Sequence, residues 1–172
     1  IYLIKEMIFF FLFLKKKYNN LFFVFITPHQ QELKKIIDNS FNKNIYNNIK
    51  IYTSNRKKIP MYLSCFDIAI SFIKNKFSRI AMSPTKMFES FAMGIPFICN
   101  SGIGDVDEII KKNKCGGIIN IKKNLYSKKS INVFKKCISI QPNFVTKRTK
   151  KLFDIPFAEK KYKYIYNFLQ ND

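Results

Sequence analysis

Apolar positions in this chain fall into short unbroken runs that alternate with stretches where they recur every three or four residues. The first run, Met7 to Leu14, is apolar throughout and is followed by Lys15, Lys16 and Lys17. It predicts a helix over residues 1–17, buried on two sides, whose cationic end complements the negative pole of the helix dipole. A strand stays open there, because so short a run does not fix its own period. Leu21 to Ile26 is apolar at every position, as strands of a parallel sheet covered on both faces tend to be, and Thr27-Pro28 ends it. Leu33, Ile36 and Ile37 place a helix over Gln30 to Phe41. Ile49 to Thr53 alternates as a strand and runs into the polar loop Ser54-Asn55-Arg56. A short helix over 59–66, the strand Asp67 to Phe72 and a basic loop from Lys74 to Met82 follow.

Local punctuation is densest between Ser83 and Pro96. Ser83 suits a helix N-cap, since its hydroxyl can accept from a backbone N–H with no intrahelical partner. Pro84 suits the first helical position. Gly94 can take the left-handed conformation that ends a helix, and Pro96 prevents its resumption. Helical spacing puts Phe88, Phe91 and Ala92 on a stripe that packs on a sheet, and Lys86, Glu89, Ser90 and Met93 on another. Phe97 to Asn100 then reads as a strand. Gly102-Ile103-Gly104-Asp105 turns into a helix running to about Asn113, with Asp105 and Glu108 spaced as a capping box. Gly116-Gly117 closes that helix before the strand Ile118 to Ile121. Lys122 to Lys151 is a mixture of short helices and loops. Phe157 to Leu169 predicts a terminal helix with Tyr162, Ile165, Tyr166 and Leu169 facing inward.

This alternation predicts an α/β fold, a Rossmann-like doubly wound parallel sheet. Ligands of such sheets sit beyond the carboxyl ends of the strands. Three polar turns follow strand ends and should line one rim: Ser54 to Arg56, Ser83 to Thr85, and Gly102 to Asp105. A helix N-terminus on that rim favours phosphate, through free N–H groups and the positive end of the dipole. Lys86 adds countercharge for a diphosphate, and Glu89, one turn deeper, can accept from vicinal ribose hydroxyls. Spacing alone favours Lys86 and Glu89 as a surface i,i+3 ion pair. The glycine pair Gly102 and Gly104 is compatible with a ligand contact or with a simple turn.

Several stretches resemble the donor-binding domain of group 1 (GT4-type) glycosyltransferases of the GT-B fold. They are Tyr62-Leu63-Ser64, Asp67-Ile68-Ala69-Ile70, Ser83 to Pro96 with its Pro-x-Lys-x-x-Glu and Ala-x-Gly-x-Pro elements, Phe97 to Asn100, and Gly102 to Val106. The resemblance covers roughly residues 50–120. It implies that Glu89 binds the ribose of a nucleotide-sugar donor and that the preceding turn holds the diphosphate. Arg56 would approach the base or phosphate, and Gly102, Gly104 and Asp105 complete the candidate donor site. The reaction implied is transfer of a sugar from a nucleotide-sugar to an acceptor, retaining by resemblance, with the acceptor site in an N-terminal domain. Two departures stand out: Ala81 occupies the position, eight residues before Glu89, where many relatives carry a second Glu, and the diphosphate-gripping Arg and Lys of the first βα unit have no counterpart. In the strand order 3-2-1-4-5-6 the first strand is central. If it is absent, its two neighbours keep unpaired backbone groups.

At 172 residues the chain has the size of one domain, about half of a two-domain GT-B enzyme. It reads as the C-terminal half of something larger, inactive alone, or as a truncated remnant. Its net charge of +20 raises a second function class, a basic module for nucleic acid or an anionic membrane surface. No nucleic-acid motif supports the former, and the charge is uneven: ten basic residues and no acidic one lie between Lys122 and Lys151, where a solvated lysine-rich surface is the default reading and a face for anionic lipid or an acidic donor the alternative. The apolar run at Met7 is far shorter than the ~20 residues a spanning helix needs, so the expected location is cytoplasmic, with peripheral contact at the inner membrane face. Cys65, Cys99, Cys115 and Cys137 show no C-x-x-C spacing, and three sit in apolar surroundings, predicting reduced core thiols. With one histidine, His29, placed at a strand end and expected to be exposed, neither a metal site nor a cofactor other than the nucleotide-sugar substrate is predicted.

Overall fold

The computed structural model describes residues 1–170. Among these residues five short strands, all paired in parallel, form two sheets. β1 (Phe23–Ile26) pairs with β2 (Ile49–Tyr52). β4 (Phe97–Asn100) lies between β3 (Ala69–Ser71) and β5 (Gly116–Ile119). The fold is therefore mixed α/β, with parallel strands joined through helices, an arrangement compatible with a Rossmann-like one.

The three-stranded sheet is covered on both faces. On one side Phe97 and Cys99 meet Met87 and Phe91 of α4 (Thr85–Ala92), Val106 and Ile110 of α5 (Val106–Asn113), and Val145 of α8 (Pro142–Phe153). On the other, Ile98 and Ile119 meet Phe10 and Leu14 of α1 (Ile4–Lys15) and Phe134 and Cys137 of α7 (Lys128–Ile138). Successive residues of a strand point to opposite faces, which is why Phe97, Ile98 and Cys99 of β4 are all apolar and, with the polar Asn100 at its end, all buried.

The Met7 run forms the helix α1, not a strand, and it is buried on two adjoining sides as its sequence predicts. Met7, Phe10 and Leu14 face the three-stranded sheet, whereas Ile8 and Phe11 face Leu33 and Ile37 of α2 (Gln30–Asp38) and Ile49 of β2. Ring contacts mark the two sides: Phe10 to Phe72 at 5.8 Å and Phe11 to Phe23 at 5.4 Å between centroids. At its C-terminal end the Lys15 ammonium donates to the Asn19 and Leu21 carbonyls at 2.6 and 3.2 Å.

Among the described residues no ladder joins β1 to β3. The wholly apolar β1 is consequently only half-buried at all four positions, unlike β4, which has a partner on each edge. Beyond the end of β3, residues 1–3 add one antiparallel bridge, with the Leu3 N–H donating to the Phe72 carbonyl at 2.8 Å and the Lys74 N–H to the Ile1 carbonyl at 3.0 Å.

Several sequence expectations change. The residues 59–66 helix shortens to α3 (Ile59–Leu63). The basic stretch resolves into α6 (Ile121–Asn124), α7 and α8. α5 ends at Lys114, itself left-handed at φ +55°, and Gly116-Gly117 belongs to β5, two residues earlier than expected. Close packing explains the glycines: a Cβ on Gly116 would meet the Phe97 carbonyl, and one on Gly117 would meet Val133. α9 (Ile155–Gln170) forms where predicted, but Tyr162, Ile165, Tyr166 and Leu169 face solvent instead of a core.

Cys99, Cys115 and Cys137 are buried free thiols and Cys65 is exposed. Burial pushes each of the three buried thiols up to about 12. Unfolding releases them to the ordinary thiol value near ~8.5, so between those values the folded chain binds more protons. Stability should hold through neutral pH and fall as pH rises above about 9, read from urea midpoints across that range. Phe10→Ala removes a ring packed between α1 and the sheet and should cost about 3–5 kcal/mol, measured as a lower urea midpoint.

Candidate functional site

The candidate donor site is built where β3 and β4 end. Asn100, the last residue of β4, is 4 % exposed and takes over from the backbone ladder. Its Oδ1 accepts from the Ile73 N–H at 2.8 Å, and its Nδ2 donates to the Ile73 carbonyl at 3.0 Å and to Asn75 Oδ1 at 2.8 Å. Asn75 in turn donates to the Ser101 carbonyl at 3.2 Å. One carboxamide thus clamps the loop leaving β3 to the loop leaving β4, both partners of a peptide group being supplied by a side chain.

A second clamp lies closer to α4. The Gly104 N–H donates to the Arg79 carbonyl at 3.0 Å, and Ser83 Oγ donates to Asp105 Oδ1 at 3.4 Å. Gly104 has φ +46°, and a Cβ there would collide with the Met82 carbonyl. Only glycine allows this close approach with a left-handed backbone. Gly102, at φ +81°, packs beside Asn75. Ser83, Gly102, Gly104 and Asp105 are therefore brought together as anticipated.

Two local assignments are corrected. Ser83 is not the N-cap: Pro84 holds that position without a side-chain bond, because the Ser83 hydroxyl is turned to Asp105. Asp105 does occupy the N-cap of α5, but it makes no capping bond, so the Asp105–Glu108 box does not form. The stripes of α4 also shift. Met87, Ser90 and Phe91 are the buried positions and Ala92 is exposed, with Ser90 Oγ satisfied by the Lys86 carbonyl at 2.8 Å. The C-terminal end follows the sequence: the Gly94 N–H donates to the Phe91 carbonyl and the Ile95 N–H to the Ser90 carbonyl, with Gly94 at φ +75°, the Schellman pattern.

At the tip of α4, Thr85 and Lys86 are exposed. Their N–H groups find no acceptor among the described residues, as expected of the first turn of a helix. Lys86 Nζ lies 3.2 Å from Glu89 Oε2, with the two side chains 62 % and 39 % exposed. The surface ion pair is thus real, and at that exposure it contributes little stability by itself. Neither group is packed away.

Arg56 stands apart. It opens a short 3-10 turn after β2, capped by Asn55, whose side chain accepts from the Lys58 N–H at 3.1 Å. It is exposed and belongs to the other sheet, with no bond to the Ser83 or Gly102 loops among the described residues. The open cleft of about 430 Å³ between α4 and α8, lined by Ala92, Thr146, Lys147 and Lys150 among others, lies at the far end of α4 and includes neither Lys86 nor Glu89.

Sequence reasoning missed Asn100, Arg79 and Asp107. Arg79 Nε and Asp107 Oδ1 are enclosed without a hydrogen-bond partner among the described residues, and the Asp107 charge adds to the burial that raises Cys99. An asparagine at the end of an apolar strand run, where an exposed polar residue would be unremarkable, was the one available signal for the Asn100 clamp. His29 is exposed and pairs with Glu32 at 3.5 Å. Among the described residues no group of three or more His, Cys, Asp or Glu is placed to hold a metal ion, and no helix is long and apolar enough to cross a membrane. No family model matches the chain, and no curated protein matches it.

Asn100→Leu strands the Ile73 N–H and carbonyl in a buried site and should cost about 1–3 kcal/mol. The urea midpoint reads the cost, and faster amide exchange at Ile73 localises it.

Proposed function

We propose that this chain is the donor-binding domain of a nucleotide-sugar-dependent glycosyltransferase, the C-terminal half of a GT-B fold that works with an N-terminal acceptor domain. The observation that carries the reading is the α4 tip: two N–H groups without an acceptor among the described residues, an exposed lysine and a half-exposed carboxylate stand together beyond the ends of β3 and β4. The motif resemblance around Ser83 to Pro96 supports it.

In this reading the diphosphate docks on the N–H groups of Thr85 and Lys86, with Ser83 beside them. A diphosphate draws the Lys86 ammonium toward itself. That frees Glu89 from its ion pair to accept from the vicinal hydroxyls of the ribose. Charge builds on the diphosphate as the sugar–oxygen bond breaks, so fixed N–H donors and the ammonium favour the transition state over the ground state. Gly102, Gly104 and Asp105 form the opposite wall of this loop cluster, and Arg56 contributes only to a ligand that reaches the second sheet. The donor is the substrate, and no metal is assigned to the site. The acceptor and any general base belong to the other domain, so the chain alone binds donor without transferring sugar.

Calorimetric titration with UDP- and GDP-sugars should show binding that weakens about tenfold or more in Glu89→Ala, since a hydrogen bond to a charged group contributes about 1.5–3 kcal/mol. Lys86→Ala should lose affinity for the nucleoside diphosphate as well as for the whole donor. Equal affinity in Glu89→Ala removes the ribose assignment, and absence of binding by the parent chain removes the reading.

A further inference from the structure

α9 is a sixteen-residue helix with no buried residue. Its polypeptide is nevertheless strongly patterned. Ile155, Tyr162, Ile165, Tyr166 and Leu169 recur at helical spacing on one side and are 51–79 % exposed. Phe157, Tyr164 and Phe168, 39–73 % exposed, continue this apolar surface round the helix with Lys161 among them, its ammonium 4.9 Å from the Phe157 ring centroid, and Glu159, Lys160, Lys163 and Asn167 make the polar side. The helix follows α8 directly through Asp154, whose carbonyl accepts from the Ala158 N–H at 3.1 Å in the first turn, and among the described residues none of its side chains is buried.

We propose that α9 is a membrane-surface helix that lays its Ile/Tyr/Leu stripe into the headgroup region of an anionic bilayer. Three observations choose this occupant. The stripe is apolar but tipped with tyrosine hydroxyls, and such side chains suit the boundary where one end is dry and the other wet. The surrounding charge has one sign: residues 121–170 carry thirteen Lys or Arg against Asp154 and Glu159 alone. A second copy of this chain would bring the same excess positive charge against itself, whereas an anionic surface attracts it. A helix of this length and composition lies along the surface without spanning it. The proposal stands on α9 and the basic stretch from α6 onward and does not rest on the donor-site reading.

The test is sedimentation of the full chain with vesicles of phosphatidylcholine, with and without added phosphatidylglycerol, at low and high salt. Binding should require the anionic lipid and weaken with salt. The double variant Ile165→Asp/Leu169→Asp alters only exposed positions and should reduce binding about tenfold or more. Lys160→Glu/Lys161→Glu keeps the stripe and should weaken binding to anionic vesicles specifically. Three results overturn the proposal. One is equal binding to neutral vesicles. Another is binding untouched by the Ile165/Leu169 variant, which would place the contact elsewhere on the basic surface. The third is absence of binding to the anionic vesicles, and a concentration-dependent dimer that the same variant dissolves would then make the stripe a protein interface.

Discussion

Apolar contact through α1 is what makes two sheets one structure. Among the described residues no backbone ladder joins β1 to β3, so the strand pairs do not hold each other by ladder bonds. α1 presents two neighbouring faces, one to Phe72, Ile98 and Ile119 and one to Leu33, Ile37 and Ile49. Phe23 and Phe25 of β1 touch both groups. Hydrophobic burial is non-directional, which suits a seam where the directional bonds of a sheet are missing. It also explains a helix that is apolar nearly all round, a pattern that would be wasteful on a surface helix with one covered face.

Downstream of that seam, polar groups do the positioning. Asn100 supplies both halves of a peptide-like pairing to Ile73, and Gly104 lets the Gly102–Asp105 loop touch the chain entering α4. The buried face of α4 fixes its axis through Met87 and Phe91, and the Schellman turn at Gly94 sets where the helix ends and lets Pro142 of α8 pack closely. The exposed face is then left with Thr85, Lys86 and Glu89 in a fixed relation to the ends of β3 and β4. The geometry of the candidate site is a by-product of core packing on the other side of the same helix.

The strand–helix alternation was legible because each strand is an apolar run and each crossover helix carries its own stripe and breaker residues, Gly94 and Pro96 above all. Helix starts were less legible. Ser83 and Asp105 both look like caps locally, but each prefers the other across the gap between two loops, a tertiary bond that no window of sequence contains. The inward assignment of Tyr162, Ile165, Tyr166 and Leu169 failed for a related reason. Periodicity identifies the apolar side of a helix; it carries no information on whether anything covers it. Glycines Gly116 and Gly117 were read as a terminator because conformational freedom is their commonest use, whereas here the missing side chains admit the Phe97 backbone and Val133.

The seam also decides how far the candidate site can extend. α1 starts beside the end of β3 and hands over, through Lys15 and Leu21, to the start of β1, so both sheets end on the same side of the molecule. Arg56 follows β2 and therefore lies on that side, across the seam from Lys86 and Glu89. A ligand gripped only by the α4 tip and the Gly102–Asp105 loop draws on the three-stranded sheet alone. One that also reaches Arg56 ties the two sheets together and adds to what α1 does by packing. Binding of the longer ligand should then stabilise the pairing of β1 with the rest of the fold as well as the site itself, because any ligand that prefers the native arrangement strengthens the contacts that arrangement requires.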